Sequence, residues 1–206
     1  MIHTLDALAA AFEGHEPALH ADAARTQAAV ALVVSEHAGD LTLLFIERAH
    51  HEDDRWSGDI AFPGGRVDPE DADPAGTAVR ETLEEVGVSL EGRAPIARLD
   101  DLVGYRESVL VSGFVYAVAG RPDLHPNHEV ANAFWLPLRE IESPERQVMQ
   151  AFDYRGSELV LPGLRVDPAR PGLKPPVLWG LSYRFLEILM ERCGRPIPGM
   201  PWDPNV

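Results

Sequence analysis

The chain has 206 residues, 45% of them hydrophobic and 25% charged, an ordinary globular composition with length for one good-sized core. Its 33 acidic against 18 basic residues leave a formal net charge of −15, which argues against nucleic acid or anionic lipid as a partner and calls for local cations if the ligand is an anion. A single cysteine, Cys193, excludes an internal disulfide framework and suits a reducing, cytoplasmic compartment. No run reaches the ~18 apolar residues of a membrane span, and the opening MIHTLDALAAAFEGHE lacks the basic and apolar regions of a signal peptide.

In chain order, LDALAAAF reads as a short helix with Thr4 as N-cap, inside a helical extension covering about residues 1–25. AAVALVVSEH (28–37) and LTLLFIERA (41–49) read as strands joined by a hairpin turn at 38–40. HHEDDRWSGD (50–59) is polar and turn-like, and IAF runs into a tight turn at PGG (63–65). RVDPEDADP (66–74) is too rich in proline and acid for regular structure, after which Ala75–Val86 is helical and Gly87 stops it. β-like runs follow at 96–105, 108–118 and 129–138, then a short helix at 138–143 and a strand at 157–163. A proline-rich loop (165–176) precedes VLWGLSYRFLEILMERCG (177–194), read as an amphipathic helix with Leu178, Leu181, Phe185, Ile188 and Leu189 on one face. The tail, about 195–206, reads as irregular, and with no repeat or dividing linker residues 1–206 read as a single domain, α+β or α/β.

The segment AVRETLEEVG (78–87) sets Glu81, Glu84 and Glu85 close together in an already acidic chain. At about 100° per residue the three carboxylates share a stripe about 100° wide, with Val79, Leu83 and Val86 opposite. Such crowding costs roughly 0.2–0.5 kcal/mol per pair, and a hard divalent cation would turn it into coordination. A solvated charged face is the commoner meaning of a Glu-rich helix. The preceding FPGG (62–65) changes the weighting, because a glycine turn leading into a helix N-terminus makes, with the carboxylates, a metal–phosphate cradle.

GGRVDPEDADPAGTAVRETLEEVGV resembles the Nudix box, G-x5-E-x7-R-E-U-x-E-E-x-G-U with U aliphatic. Arg80-Glu81-Thr82-Leu83-Glu84-Glu85-Val86-Gly87-Val88 matches its second half, with Thr82 in place of an aliphatic residue. In the first half Asp71 stands for the early Glu and Arg80 comes one residue late, as if the loop carried an insertion. LLFIERA…WSGDIAFPGG, PNHEVANAFWLPL and PPVLWGLSYRFLEIL are similar to the coenzyme A pyrophosphatase branch of that superfamily; the loop HHEDDRW looks longer, and Arg55 falls out of register.

The resemblance implies an α/β/α sandwich, a mixed β-sheet packed between helices. It implies cleavage of a pyrophosphate in a nucleoside diphosphate derivative with Mg²⁺ or Mn²⁺. Coenzyme A or an acyl derivative is the first expectation; ADP-ribose, NADH, a dinucleoside polyphosphate or an oxidised nucleotide are alternatives, and a nucleotide sensor is the alternative of another class. Glu84 and Glu85 are the expected metal ligands, Glu81 a ligand or the general base, Arg80 an orienting cation, and Gly64 and Gly65 the point of backbone approach. The family's tendency to dimerise adds a homodimer by analogy.

Several residues carry two readings. Glu129, in a loop before a strand, is an additional base or ligand, or equally a turn glutamate. Arg48 binds phosphate or pairs with acids; Arg55 and Trp56 form a substrate lip or, preferably, a loop anchor. His50 and His51 read as loop residues, His128 as a surface residue, Trp135 and Trp179 as core, and Cys193 as a structural or exposed thiol.

Overall fold

The structure, a computed structural model, describes residues 1–20, 25–50, 57–104, 109–154, 157–166 and 176–198. Strands β1 (Thr26–His37) and β2 (Asp40–Arg48) form an antiparallel hairpin whose two turn residues, Ala38 and Gly39, both have positive φ, 51° and 75°. That backbone matches the twist of the flanking strands. The hairpin ladder closes at Val34↔Leu43, and beyond it β1 and β2 diverge.

The fork between them is bridged by the glycine-turn segment. β3 (Ile60–Ala61) pairs with β2, Ile46 opposite Ala61, and β4 (Gly64–Arg66) pairs with β1, Ala29 opposite Gly65. Phe62 and Pro63 carry the chain across, and the Ala31 amide donates to the Pro63 carbonyl at 2.8 Å. Proline has no amide to leave unpaired at such a crossing.

Helix α2 (Pro74–Val86) follows, with β5 (Ala97–Arg98), β6 (Leu102–Val103) and β7 (Val109–Val118) after it. β7 runs parallel to β1 from Thr26↔Val109 to Ser35↔Val118. β8 (Val130–Pro137) lies antiparallel along β2, with a register shift at Glu47/Arg48. Short α3 (Leu138–Ile141), β9 (Gln147–Tyr154), β10 (Ser157–Arg165), β11 (Val177–Trp179) and α4 (Gly180–Arg192) complete the chain. β11 pairs parallel with β3 at Leu178↔Ile60, so β9 and β10 extend the sheet beyond the fork.

Alternate residues of β1 enter two cores, as strand geometry requires. Leu32 and Val34 pack with α1 (Leu5–Ala11) and α4, Ala31 and Val33 with α2. α4 comes so close to β7 that a β-carbon on Gly113 would lie 2.6 Å from the Phe185 ring. The result is the expected α/β/α sandwich with a mixed sheet. No helix among the described residues is long and apolar enough to cross a membrane.

Thr4 caps α1 as expected, accepting from the Ala7 amide. Three expectations are corrected. Val177–Trp179 are strand, not helix, because Gly180 at φ 61° ends the extended run before α4 begins. Trp179 is therefore not a core helix residue; it is half-buried and stacks on Phe152. β9 carried no periodic signal and exists through its pairing with β10. Within the expected run 96–105, the described residues 96–104 form two separate two-residue strands rather than one.

The two ends of the described chain meet at a buried ion cluster. Arg195, 2% exposed, donates to the Asp40 and Glu142 carboxylates and to the Ile2 carbonyl. Asp40 also accepts from the Arg139 amide at 3.0 Å. Cys193, next to this cluster, is buried and its thiol is pushed up to about 11 by burial, which makes it structural.

Candidate active site

Helix α2 is built from strong terminal signals. Asp73 is the N-cap, its carboxylate accepting from the Gly76 amide at 2.8 Å, and Pro74 occupies the first helical position. Gly87, at φ 72°, closes the helix with its amide on the Leu83 carbonyl. The last turn receives two more donors from the loop before β8, His125 N–H to the Val86 carbonyl and Asn127 N–H to the Glu85 carbonyl. This fixes the 125–129 loop, and with it Glu129, against the acidic end of α2.

The helix is rotated from the orientation read in its apolar residues. Thr77, Ala78, Thr82, Glu85 and Val86 are buried, whereas Leu83 is 49% exposed. Leu83 is therefore not a core residue. With Glu81 at zero, the buried arc runs from about −40° to +140° at about 100° per residue, and Glu85 lies inside it. Thr82 can take the inward position because its hydroxyl donates to the Ala78 carbonyl at 2.6 Å.

The rotation gives the three carboxylates different surroundings. Glu84 is exposed. Glu81 lies under the glycine turn, and a β-carbon on Gly65 would sit 2.3 Å from its Oε1. Glu85, 2% exposed, accepts the Gly64 amide at 2.9 Å. Gly64 itself, at φ 155°, leaves no room for a side chain: its β-carbon would be 2.3 Å from the Ala29 carbonyl oxygen. Both glycines are thus demanded by close approach, Gly64 to the β1 backbone and Gly65 to Glu81.

Arg80 organises the opposite side. It donates to both oxygens of Asp71, at 2.9 and 3.0 Å, to Glu81 at 2.9 Å and to Glu84 at 3.3 Å. Asp71 accepts further from Thr77 Oγ1 and the Asp68 amide; Arg80 first, against burial, and then these two donors hold its carboxyl well below the usual range. The role of Asp71 was not readable from the motif; the signal was there in an acid and an arginine standing together in a departing box.

Burial pushes the Glu85 carboxyl up to about 8, with the charges of Glu81 and Glu129 adding to it, against the Gly64 amide and Arg48. Burial likewise raises Glu81, with Arg80 opposing and Glu84 and Glu129 reinforcing the rise. Arg80 offsets charge at Glu81 and Glu84, while the Gly64 amide and Arg48 oppose the rise at Glu85. The oxygens of Glu81, Glu84 and Glu85 are of the type that a hard cation takes. No three His, Cys, Asp or Glu side chains among the described residues already stand at metal-binding spacing. Arg80 draws Glu81 and Glu84 one way while Glu85 turns to Gly64.

The remaining candidates divide. Glu129 and Arg48 are brought within electrostatic range of Glu85. The two adjoin through the Ala49 amide, which donates to the Glu129 carbonyl at 2.7 Å. His128 is a surface residue, its side chain 83% exposed. Arg55, Trp56 and His51 lie outside the described residues. Trp135 is half-buried against the α2-side core.

The NUDIX domain family model matches residues 25–155. The human mitochondrial coenzyme A diphosphatase NUDT8 is 31% identical over 169 residues, covering 80% of this chain and 68% of that protein. An uncharacterized protein of Schizosaccharomyces pombe is 38% identical over 119 residues, 54% of this chain, and the match spans only 36% of its length. A MutT/nudix family protein from Enterococcus faecalis superimposes with a TM-score of 0.56 at 17% identity, over 92% of this chain and 69% of that one, a likeness of fold. By the family match over residues 25–155 and the identity to the human relative, the chain belongs to the Nudix hydrolase superfamily.

Proposed function

We propose that the chain is a metal-dependent pyrophosphohydrolase that cleaves the diphosphate linkage of a nucleoside diphosphate derivative, with coenzyme A or an acyl derivative as its first substrate. The observation that carries this reading is the pair Glu81 and Glu85 beneath the Gly64–Gly65 turn, Glu85 buried against the Gly64 amide and Glu81 filling the space beside Gly65. Two carboxyls crowded under a backbone turn, with burial opposing their charge, suit a site completed by a cation. Mg²⁺ or Mn²⁺ suits this oxygen-only donor set, held by Glu84, Glu85 and Glu81.

When bound, such an ion supplies neutralising charge for the two phosphates and lowers the pKa of water. The chain's own groups do the rest. The Gly65 position, with no side chain, makes room for the Glu81 carboxylate beneath the turn. Arg80 orients Glu81 and Glu84. Glu81 or Glu129 takes the proton of the attacking water, and Arg48 binds a phosphate oxygen. The coenzyme A preference is supported by the human relative's activity and by the similarity of the flanking segments. A reducing, cytoplasmic setting suits the single buried thiol.

Purified protein with Mg²⁺ or Mn²⁺ is to be incubated with coenzyme A, acetyl-coenzyme A, NADH, ADP-ribose and a dinucleoside polyphosphate, and the products weighed by mass spectrometry. Coenzyme A split at its diphosphate is the expected result. A different member cleaved faster reassigns the substrate. A panel bound but left intact refutes the enzyme and supports a sensor.

A further inference from the structure

The last carbonyls of a helix have no partner within it. In α2 two of them, Val86 and Glu85, accept the amides of His125 and Asn127, at 2.9 and 3.0 Å. Asn127 then turns its side chain forward along the loop. Its Oδ1 accepts the Glu129 amide at 2.8 Å, and its carbonyl accepts the Val130 amide at 3.3 Å. The Glu129 carbonyl accepts the amide of Ala49, the residue after β2, at 2.7 Å. The Glu129 main chain is thus held from two sides, by Asn127 toward α2 and by the end of β2. Its carboxylate is left 56% exposed, 4.0 Å from the His128 imidazole.

We infer that Asn127 is a positioning residue that sets the place of Glu129 relative to Glu85, an inference that rests on the reading of Glu129 as a base for the attacking water. Two observations carry it beyond an ordinary loop turn. The Asn127 N–H is spent on the carbonyl of Glu85 itself, so a single residue bonds the main chains of both acids. The charge of Glu129 is also felt at Glu81 and at Glu85, so a shift of this loop alters the surroundings of both carboxyls. The residue type fits the task. An aspartate closes the same turn, but it would add negative charge beside acids that already oppose one another's ionisation. The asparagine amide offers a neutral acceptor.

The test is turnover of coenzyme A with Mg²⁺, alongside thermal unfolding, in wild type, Asn127→Ala, Asn127→Ser, Glu129→Gln and the Asn127→Ala/Glu129→Gln double variant. Asn127→Ala should lower kcat about tenfold with KM within about twofold. Asn127→Ser, whose hydroxyl accepts the same bond more weakly, should recover part of the loss. In the Glu129→Gln background the alanine should change kcat by less than about twofold, because no base is left to place. An alanine effect of equal size in both backgrounds, an unchanged kcat in Asn127→Ala, or wild-type kcat in Glu129→Gln overturns the inference. Should Asn127→Ala fail to fold, Asn127→Ser carries the same comparison. Mn²⁺ gives a readout without turnover: its broadening of the Glu129 amide resonance should weaken in Asn127→Ala while that of the Glu85 amide stays. Unchanged broadening at Glu129 overturns the inference. The expected weakening in a protein that leaves coenzyme A whole supports the positioning and refutes the catalytic reading alone.

Discussion

Gly65 and Glu81 are matched: the space a β-carbon would take on Gly65 is already filled, at 2.3 Å, by the Glu81 carboxylate. The obstacle is the far end of a flexible side chain, and Gly65 does not have a left-handed backbone. Gly65→Ala should therefore fold, with stability changed by less than about 1 kcal/mol, while the displaced carboxylate lowers kcat/KM about 100-fold. Gly64→Ala meets backbone at φ 155° and should cost about 3 kcal/mol. Denaturant unfolding and kinetics on both variants check this. Equal behaviour of the two contradicts it.

Asp71 holds Arg80 through two charge-assisted hydrogen bonds. Asp71→Ala should destabilise by about 2 kcal/mol, a figure reduced because Arg80 is about a third exposed. It should also lower kcat, because Arg80 is freed to swing from Glu81 and Glu84. Loss of stability with full kcat would show that Arg80 is held from elsewhere.

Asp40 gives the fold an acid limit. Burial opposes its charge, but Arg195, the Arg139 amide and His3 prevail and lower its pKa from 3.8 to about 2. A depressed folded-state value stabilises above the unfolded pKa and is lost as pH falls through the folded one. About 2 kcal/mol should thus disappear between about pH 4 and pH 2. Asp40→Asn should cost about 3 kcal/mol near neutrality, since it strips a buried arginine of one partner. The gap between wild type and variant in urea unfolding should narrow by about 2 kcal/mol on acidification. A gap independent of pH would exclude Asp40 as the titrating group.

The legible parts of this chain are those with local causes. The end of α2 is legible in Gly87, though the helix starts at Pro74, one residue before the expected Ala75, and the β1–β2 hairpin is legible in its 38–40 turn, because caps and turns act within a few residues. The rotation of α2 was not legible, since Leu83 looks like core and Thr82 does not until its hydroxyl finds the Ala78 carbonyl. β11 was hidden because an apolar run has no period that separates a three-residue strand from the helix behind Gly180. The cluster of Arg195, Asp40 and Glu142 joins residues 53 and 155 positions apart, and no local pattern announces it. The carboxylates themselves were found by motif, but their inequality, one exposed and two raised, came from packing.

The central claim is that α2 holds a divalent cation through Glu85 and its neighbours, and electron paramagnetic resonance of Mn²⁺ titrated into wild type and Glu85→Gln measures it directly. The glutamine keeps an oxygen for the Gly64 amide, so the fold should melt as the wild type does. Mn²⁺ affinity should fall by more than about tenfold and turnover should vanish. A folded Glu85→Gln protein that binds Mn²⁺ as tightly as the wild type contradicts the account.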